Sequence, residues 1–205
     1  MAAEVGLFFG LWLRKPRELA AAIPSGPILA DALGRLVALD RPGHILELGA
    51  GTGSITRGLL RAGCPAHRLV VVEREPPFAH FIGQTLPGIT VIEGDATNLR
   101  PLLVERGITV LASAVSSLPI KWFSLEDQRA IVTQVFSLLG PEGDLHQVTN
   151  ALSSPLPSAR LGLDAEEVER VWMNFLPAQV WRYRRMGRSR DVLSERRTGG
   201  LLDAS

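Results

Sequence analysis

The chain has 205 residues, of which 46% are hydrophobic and 21% charged, and its formal net charge is +1. This length and composition fit one globular domain with a sizeable core, and they argue against a disordered or fibrous protein. The small net charge provides no strong field that would draw the whole molecule to nucleic acid. The one cysteine, Cys64, excludes an intramolecular disulfide and a multi-cysteine metal site.

The first elements are predicted between residues 4 and 22, where aromatic and apolar residues are followed by basic ones. The apolar run of residues 5–13 is far shorter than the roughly 20 residues of a membrane-spanning helix. Basic residues follow this run, whereas a signal peptide carries them in front of it. We therefore expect an amphipathic N-terminal helix on a cytoplasmic protein. Pro16 stops or kinks that helix.

From residue 28 onward, short apolar runs alternate with helical segments, which predicts a mostly parallel sheet with helices on both faces. The predicted strands are residues 44–48, 69–72, 89–92, 108–115 and 143–149. The predicted helices are residues 28–39, 54–62, 77–86 and 125–139.

The C-terminal part of the chain allows two interpretations. Residues 167–173 and 179–184 would form an antiparallel hairpin that closes the sheet. Alternatively, Asp164 and the residues after it would begin a helix, because aspartate is a good helix cap. Residues 186–205 are polar and rich in arginine and glycine, and we expect them to form a flexible tail.

A cofactor site is predicted where the first strand runs into three glycines at alternate positions, Gly49, Gly51 and Gly53. Glycine allows a sharp turn and a close approach of ligand atoms to the backbone. Glu73 closes the second strand about 20 residues later, where an acid accepts hydrogen bonds from a ribose diol. Asp95 follows the third strand, where a carboxylate suits an exocyclic amino group such as that of adenine. Each acid alone is as easily an ordinary turn or cap residue.

The order of these features, E-x-G-x-G-x-G at residues 47–53, a later acid and G-D-A at residues 94–96, resembles the class I S-adenosylmethionine-dependent methyltransferases. An NAD site would have the spacing G-x-G-x-x-G instead. The resemblance implies a Rossmann-like α/β sheet, mostly parallel with an antiparallel final strand, and S-adenosylmethionine as the cofactor. It places the methionine portion near Glu47 and the glycines, the ribose at Glu73, and the adenine at Asp95 and Ala96. The full set of implied cofactor residues is Ser25, Glu47, Gly49, Ala50, Gly51, Thr52, Gly53, Glu73, Arg74, Asp95 and Ala96.

In this family the segment after the fourth strand, here residues 113–123, lines the site of the methyl acceptor. Enzymes that methylate the amino nitrogen of adenine carry Asn or Asp there, then proline and an aromatic that stacks on the base. In this chain Ser116 or Ser117 stands in place of the Asn, and Ile120 in place of the aromatic. The missing stacking residue argues against nucleic acid as substrate.

A closer resemblance is to bacterial phospholipid N-methyltransferases, over residues 8 to about 185. It is carried by F-x-x-W-L-R-x-P at residues 9–16, the turn Pro24-Ser25, Ser117-Leu118-Pro119, and V-W-x-N-x-x-P-A-x-V-W-x-Y at residues 171–183. Ala20 and Gly26 depart from the family pattern, which has glycine and serine there. The resemblance implies stepwise methylation of phosphatidylethanolamine to phosphatidylcholine at the inner face of the cytoplasmic membrane. Two alternatives stay open: an enzyme like the rRNA adenine dimethyltransferases, and a non-catalytic S-adenosylmethionine-binding module.

The resemblance also implies a layout: a membrane-interacting or lid region at residues 1–27, the methyltransferase domain at 28–185, and the tail at 186–205. The expected partners are a phospholipid substrate and an anionic membrane surface, with no nucleic acid and no metal. The residues assigned to lipid or membrane are Phe9, Trp12, Arg14, Lys15, Arg17, Lys121 and Arg182. The residues assigned to the reaction are His146 as a proton acceptor, Ser117 in the acceptor segment, and Trp122 and Tyr183 as cation–π partners of the methylated amine. For each of these, packing in the core or a solvated surface position is the alternative.

Overall fold

In the computed structural model, residues 27–140, 142–173 and 176–187 are described. The predicted N-terminal helix lies outside the described residues, as does the predicted tail after residue 187. So do five lipid or membrane residues and one cofactor residue, namely Phe9, Trp12, Arg14, Lys15, Arg17 and Ser25.

Seven strands form one sheet in the order β3-β2-β1-β4-β5-β7-β6. The strands are β1 (His44–Leu48), β2 (Leu69–Glu73), β3 (Thr90–Glu93), β4 (Leu111–Ser116), β5 (Leu145–Thr149), β6 (Leu163–Met173) and β7 (Leu176–Arg185). The helices are α1 (Pro27–Leu36), α2 (Ser54–Arg61), α3 (Pro76–Thr85), α4 (Leu99–Glu105), α5 (Leu125–Leu138) and α6 (Ser158–Leu161). Short 3-10 helices cover Ala66–Arg68, Ala96–Asn98 and Ile120–Trp122.

The directions of the strands confirm the predicted fold class. Strands β1 to β5 pair in parallel, and β7 runs antiparallel to both β5 and β6. Strand β6 therefore points the same way as the first five, and their carboxyl ends meet at one edge of the sheet. The strand order reverses beside β1, and ligands of open α/β sheets bind at such a switch point.

Alternate residues of each strand face opposite layers of helices. Leu46 and Leu48 belong to a cluster with buried residues of α4 and α5. Ile45 faces the other way, into a cluster with residues of α1 and α2, and Val71 packs against Ile82 of α3. The sheet thus lies between α1, α2 and α3 on one face and α4 and α5 on the other.

Two predictions of local structure need correction, and two short helices were not predicted. The helical alternative for the C-terminal part is wrong: Asp164 lies in β6, where the ladder to β7 overrides its preference for a helix cap. Strand β4 begins at Leu111 and not at Ile108, which is buried in the loop after Gly107. Helices α4 and α6 were not predicted at all, because each is too short for a clear helical period. In the described part of the chain, no helix is long and apolar enough to cross a bilayer.

Candidate active site at the carboxyl edge of the sheet

The turn between β1 and α2 has the backbone conformation that requires its glycines. Gly49, Gly51 and Gly53 have φ of +73°, +54° and +78°, a region that side chains disfavour. The amide of Gly49 donates to the carbonyl of Val72 in β2 (2.9 Å), and the amide of Gly53 donates to that of Ala50 (2.9 Å). A Cβ atom built on Gly51 would meet nothing within 4 Å. The turn therefore borders open space that a ligand can enter.

Glu73, at the end of β2, holds this turn in place. One carboxylate oxygen accepts a hydrogen bond from the Gly51 amide (2.9 Å), and the other accepts one from the Glu75 amide (2.9 Å). Glu73 is only 6% exposed, and its burial raises the pKa of its carboxyl. The residue predicted to bind the ribose thus also fixes the glycine turn.

Glu47 is a fully buried carboxyl on β1, one residue before the strand ends. Neither of its oxygens has a hydrogen-bond partner within the described ranges. Burial raises the pKa of Glu47 to about 7; nearby Thr56 and Arg57 lower it in part, and Glu73 raises it. An unpaired buried carboxyl beside an open glycine turn fits a cationic ligand, because opposite charge favours the ionised form. S-adenosylmethionine carries such positive charge on its sulfonium and its ammonium group.

Asp95 begins the short helix Ala96–Asn98 after β3 and is exposed. Its Oδ1 accepts hydrogen bonds from the backbone amide (2.8 Å) and from the hydroxyl (2.7 Å) of Thr97. The hydrogen bond from the amide is the main cause that lowers the pKa of Asp95. The carboxylate is therefore ionised, and among the described residues its Oδ2 keeps its acceptor capacity. The positive charge of Arg74, which follows β2, lowers the same pKa to a smaller extent. The carboxylate after β3 and the arginine after β2 therefore influence each other electrostatically.

The predicted acceptor segment touches the glycine turn directly. The Ser117 hydroxyl donates to the Gly49 carbonyl, and the Ser117 amide donates to the Leu48 carbonyl (3.0 Å). Leu118 packs over Gly49, since a Cβ on that glycine would lie 2.7 Å from Leu118 Cδ2. Any substrate held by this segment lies beside the cofactor turn.

The other predicted site residues lie in different surroundings. Lys121 and Trp122 are exposed in the short helix after β4, Trp122 at 79%. Tyr183 is fully buried in β7, where its hydroxyl bonds to Ser154 Oγ (2.7 Å); this favours core packing. Arg182 forms an ion pair with Glu166.

His146 lies inside β5, 1% exposed, and burial lowers its pKa to about 4. Its two ring nitrogens have no hydrogen-bond partner in the part of the chain that the structure describes. It pairs with Val115, so its ring points to the sheet face that carries α1 and α2. This position favours the packing alternative over the proton acceptor.

Two fully buried glutamines near the same edge were not predicted as site residues, Gln147 in β5 and Gln179 in β7. The Gln147 amide nitrogen donates to the Leu118 carbonyl (2.9 Å) and so supports the acceptor segment. The signal that could have found Gln147 is an amide near the carboxyl end of a predicted strand of the parallel sheet, where ligands of this fold bind. No cluster of residues suited to a metal ion occurs in the described ranges.

Comparisons with known proteins point to one family of enzymes. Residues 45–143 match the methyltransferase domain family. The ornithine lipid N-methyltransferase of Singulisphaera acidiphila is 34% identical over 146 residues, which cover 70% of this chain and 76% of that protein. The ribosomal RNA small subunit methyltransferase A of Anaeromyxobacter dehalogenans is 33% identical over 147 residues. That match covers 65% of this chain and 49% of the relative, so the chain spans about half of its length.

Solved structures share the fold. The 1,6-didemethyltoxoflavin-N1-methyltransferase of Burkholderia thailandensis, solved with S-adenosylhomocysteine, has a TM-score of 0.63 at 17% identity and matches 90% of this chain and 88% of its own. A TehB-like methyltransferase of Corynebacterium glutamicum has a TM-score of 0.58 at 17% identity, matching 86% and 97%.

The fold, with an open glycine turn at the carboxyl edge of a mostly parallel sheet, defines a Rossmann-like nucleotide-binding protein. With these matches, the chain belongs to the class I S-adenosylmethionine-dependent methyltransferases. Its cofactor is S-adenosylmethionine.

Proposed function

We propose that this methyltransferase methylates the amine of phosphatidylethanolamine and of its mono- and dimethyl derivatives, giving phosphatidylcholine at a membrane surface. The main support for this proposal is the acceptor segment, residues 113–123. Ser117 and Leu118 hold it against the glycine turn, and Ile120, which stands where adenine methyltransferases have their stacking aromatic, is 1% exposed. A relative named for N-methylation of an aminolipid supports the same class of substrate.

Exposed apolar side chains at the site edge support an approach to the substrate from a bilayer. Trp122, Leu152 and Trp172 are 79%, 78% and 74% exposed. They lie after β4, after β5 and near the end of β6, three strands that run in the same direction, so they share the edge that holds the cofactor site. Exposed aromatic and aliphatic residues of this kind suit a membrane interface, and the exposed Lys121 can meet lipid phosphates.

The chain's residues would act mainly by binding and orientation. Glu47, Glu73, Asp95 and the glycine turn would hold S-adenosylmethionine, which supplies the methyl group when bound. The acceptor segment would hold the amine beside it, and held reactants can gain about 7–11 kcal/mol relative to free ones. The amine must be neutral to react. His146 is unprotonated at neutral pH because burial lowers its pKa, but its ring faces α1 and α2, and this position favours a packing role over proton transfer.

Ornithine lipid is a second candidate substrate. The relative from Singulisphaera acidiphila is named for it, and an ornithine lipid also presents a primary amine near an anion, here a carboxylate instead of a phosphate. Ribosomal RNA is less favoured, because the relatives named for it are matched over half of their length or less.

Vesicles of defined composition would test the proposal. The purified protein and S-adenosylmethionine are incubated with vesicles that contain phosphatidylethanolamine or ornithine lipid, and the lipids are identified by mass spectrometry. We expect one to three added methyl groups on phosphatidylethanolamine. Methylation of ornithine lipid alone would replace the proposed substrate with the second candidate, and methylation of neither lipid would contradict lipid methylation.

The same vesicles test the proposed membrane role of the N-terminal region. We expect a variant lacking residues 1–22 to lose sedimentation with anionic vesicles, because it lacks Phe9 and Trp12 and the basic residues after them. Charge reversal at Arg14 and Lys15 should weaken sedimentation most at low salt, where screening is least. If the truncated variant sediments as well as the full chain, this region is not the membrane contact.

A further inference from the structure

Two buried glutamines each have one polar atom that lacks a hydrogen-bond partner among the described residues. Gln147 and Gln179 are both 0% exposed. Across the described residues, Gln147 Oε1 and Gln179 Nε2 have no hydrogen-bond partner. Buried amide atoms are normally bonded, since an unpaired one costs free energy. The fold therefore keeps one acceptor and one donor for a group outside this part of the chain.

The orientation of both amides is fixed by their other partners. Gln147 Nε2 donates to the carbonyls of Leu118 (2.9 Å) and Val148 (2.8 Å), and a carbonyl can only accept. Gln179 Oε1 accepts from the indole nitrogen of Trp181 (3.1 Å), which can only donate. Neither amide can turn over without losing these bonds, so the unpaired atoms are an oxygen on Gln147 and a nitrogen on Gln179.

Both amides lie on the same face of the sheet and close to the acceptor segment. Gln147 pairs with Trp181 and Thr149 pairs with Gln179 across β5 and β7, which makes the two glutamines diagonal neighbours. Hydrogen bonds then connect Gln147 to the Leu118 carbonyl, and Ser117, the preceding residue, to the Gly49 carbonyl of the cofactor turn. The pair thus adjoins the predicted position of the methyl acceptor.

We propose that this pair binds the headgroup of the acceptor lipid: Gln147 Oε1 accepts a hydrogen bond from the amine, and Gln179 Nε2 donates one to the anionic group of the same headgroup. This inference rests on the proposed function. A neutral amide suits the amine site better than a carboxylate, because a nearby negative charge would favour the protonated amine, which cannot react. The donor on Gln179 suits phosphate and carboxylate oxygens alike.

The contact with Gln147 weakens as the reaction proceeds. A primary amine offers two N–H donors and its monomethyl derivative offers one, whereas a neutral dimethyl amine and the trimethyl product offer none. Loss of Gln147 Oε1 should therefore slow the first methylation more than the third. A residue that only supports the acceptor segment would affect all three steps equally.

The test uses Gln147→Met and Gln179→Glu, with Gln84→Met as the matched control on the exposed surface of α3. Gln179→Glu keeps an oxygen for Trp181 and replaces the unpaired donor. For each variant, kcat and KM are measured on vesicles of phosphatidylethanolamine and of its mono- and dimethyl derivatives, together with affinity for S-adenosylmethionine and thermal midpoint.

We expect Gln179→Glu to raise the lipid KM by roughly 10- to 100-fold, with unchanged affinity for S-adenosylmethionine. Gln147→Met should lower the rate of the first methylation several-fold more than that of the third, and Gln84→Met should match the wild type. If the wild type methylates lipid while Gln179→Glu keeps its KM and Gln147→Met slows all steps alike, the inference is overturned. A wild type that methylates no lipid overturns the proposed function instead. In the wild type, glycerophosphoethanolamine should compete with the lipid and inorganic phosphate should not; competition by phosphate alone would identify a simple anion site and overturn the inference.

Discussion

At Gly51, both the backbone conformation and the expected position of the cofactor require a residue without a side chain. Its φ of +54° disfavours any side chain, and a Cβ there would project into open space where the cofactor is expected. We expect Gly51→Val to reduce the affinity for S-adenosylmethionine at least 100-fold in calorimetry, while it lowers the free energy of unfolding by only about 1–2 kcal/mol.

Gly107 provides a matched control for this variant, since it has a φ of +72° and open space around its Cβ position but lies before β4, at the other edge of the sheet. Gly107→Val should show a similar loss of stability and unchanged affinity. Equal affinities of the two variants for S-adenosylmethionine would show that the cofactor does not bind at the glycine turn.

Two buried residues give opposite dependences of stability on pH. The pKa of Glu47 rises from 4.5 to about 7, so its contribution to the free energy of unfolding falls as the pH rises between these values. The pKa of His146 falls from 6.5 to about 4, so its contribution is lost as the pH drops through that window. Each contribution amounts to at most about 3 kcal/mol.

We expect Glu47→Gln to lose stability in acid more steeply than the wild type, and His146→Phe to lose it more steeply as the pH rises from 4.5 to 6.5. Urea unfolding at several pH values, without cofactor, measures both, and the remaining carboxyls titrate alike in all three proteins. Parallel curves for the three would show that these two groups are not buried as described.

At the scale of elements, the contact between α1 and α2 sets the position of the helix that follows the glycine turn. A Cβ on Gly58 would lie 2.5 Å from Ala30 Cβ and 2.6 Å from its carbonyl carbon, so any side chain there forces the two helices apart. We expect Gly58→Ala to lower the free energy of unfolding by about 1–3 kcal/mol and to weaken cofactor binding. The measurements are urea unfolding and calorimetry.

Gly83 in α3 is the control, because its Cβ position has nothing within 4 Å. Gly83→Ala should stabilise the protein by about 0.5–1 kcal/mol, the usual gain when alanine replaces glycine in a helix. An equal effect of both changes would mean that α1 and α2 do not pack this closely.

Some of these elements could be predicted from sequence patterns alone, and others could not. The strands around the cofactor turn were predicted within one residue at β1 and β2, because continuous apolar runs bounded by turns have few alternatives. The hairpin of β6 and β7 stayed ambiguous, since pairing between distant residues decides it and local preference at Asp164 points to a helix.

At the scale of the whole molecule, the fold brings together side chains whose proximity no local sequence pattern predicts. The positions of the glycine turn, Glu73 and Asp95 at one edge of the sheet could be predicted, because each follows or closes a parallel strand. The burial of Tyr183 and the pairing of Gln147 beside Gln179 depend on the order of strands β5, β7 and β6, which sequence periodicity does not fix. That strand order also brings Trp122, Leu152 and Trp172 to one edge, although they are far apart in the chain.

The methyl acceptor that we propose is the amine of a membrane lipid. The most direct measurement is one reaction with methyl-labelled S-adenosylmethionine that contains both phosphatidylethanolamine vesicles and a folded ribosomal RNA fragment, followed by separation of lipid and RNA. We expect the label in the lipid fraction, with mono-, di- and trimethylated products, and none in either fraction with Gly51→Val. Label in the RNA and none in the lipid would contradict a lipid acceptor and favour RNA as the substrate.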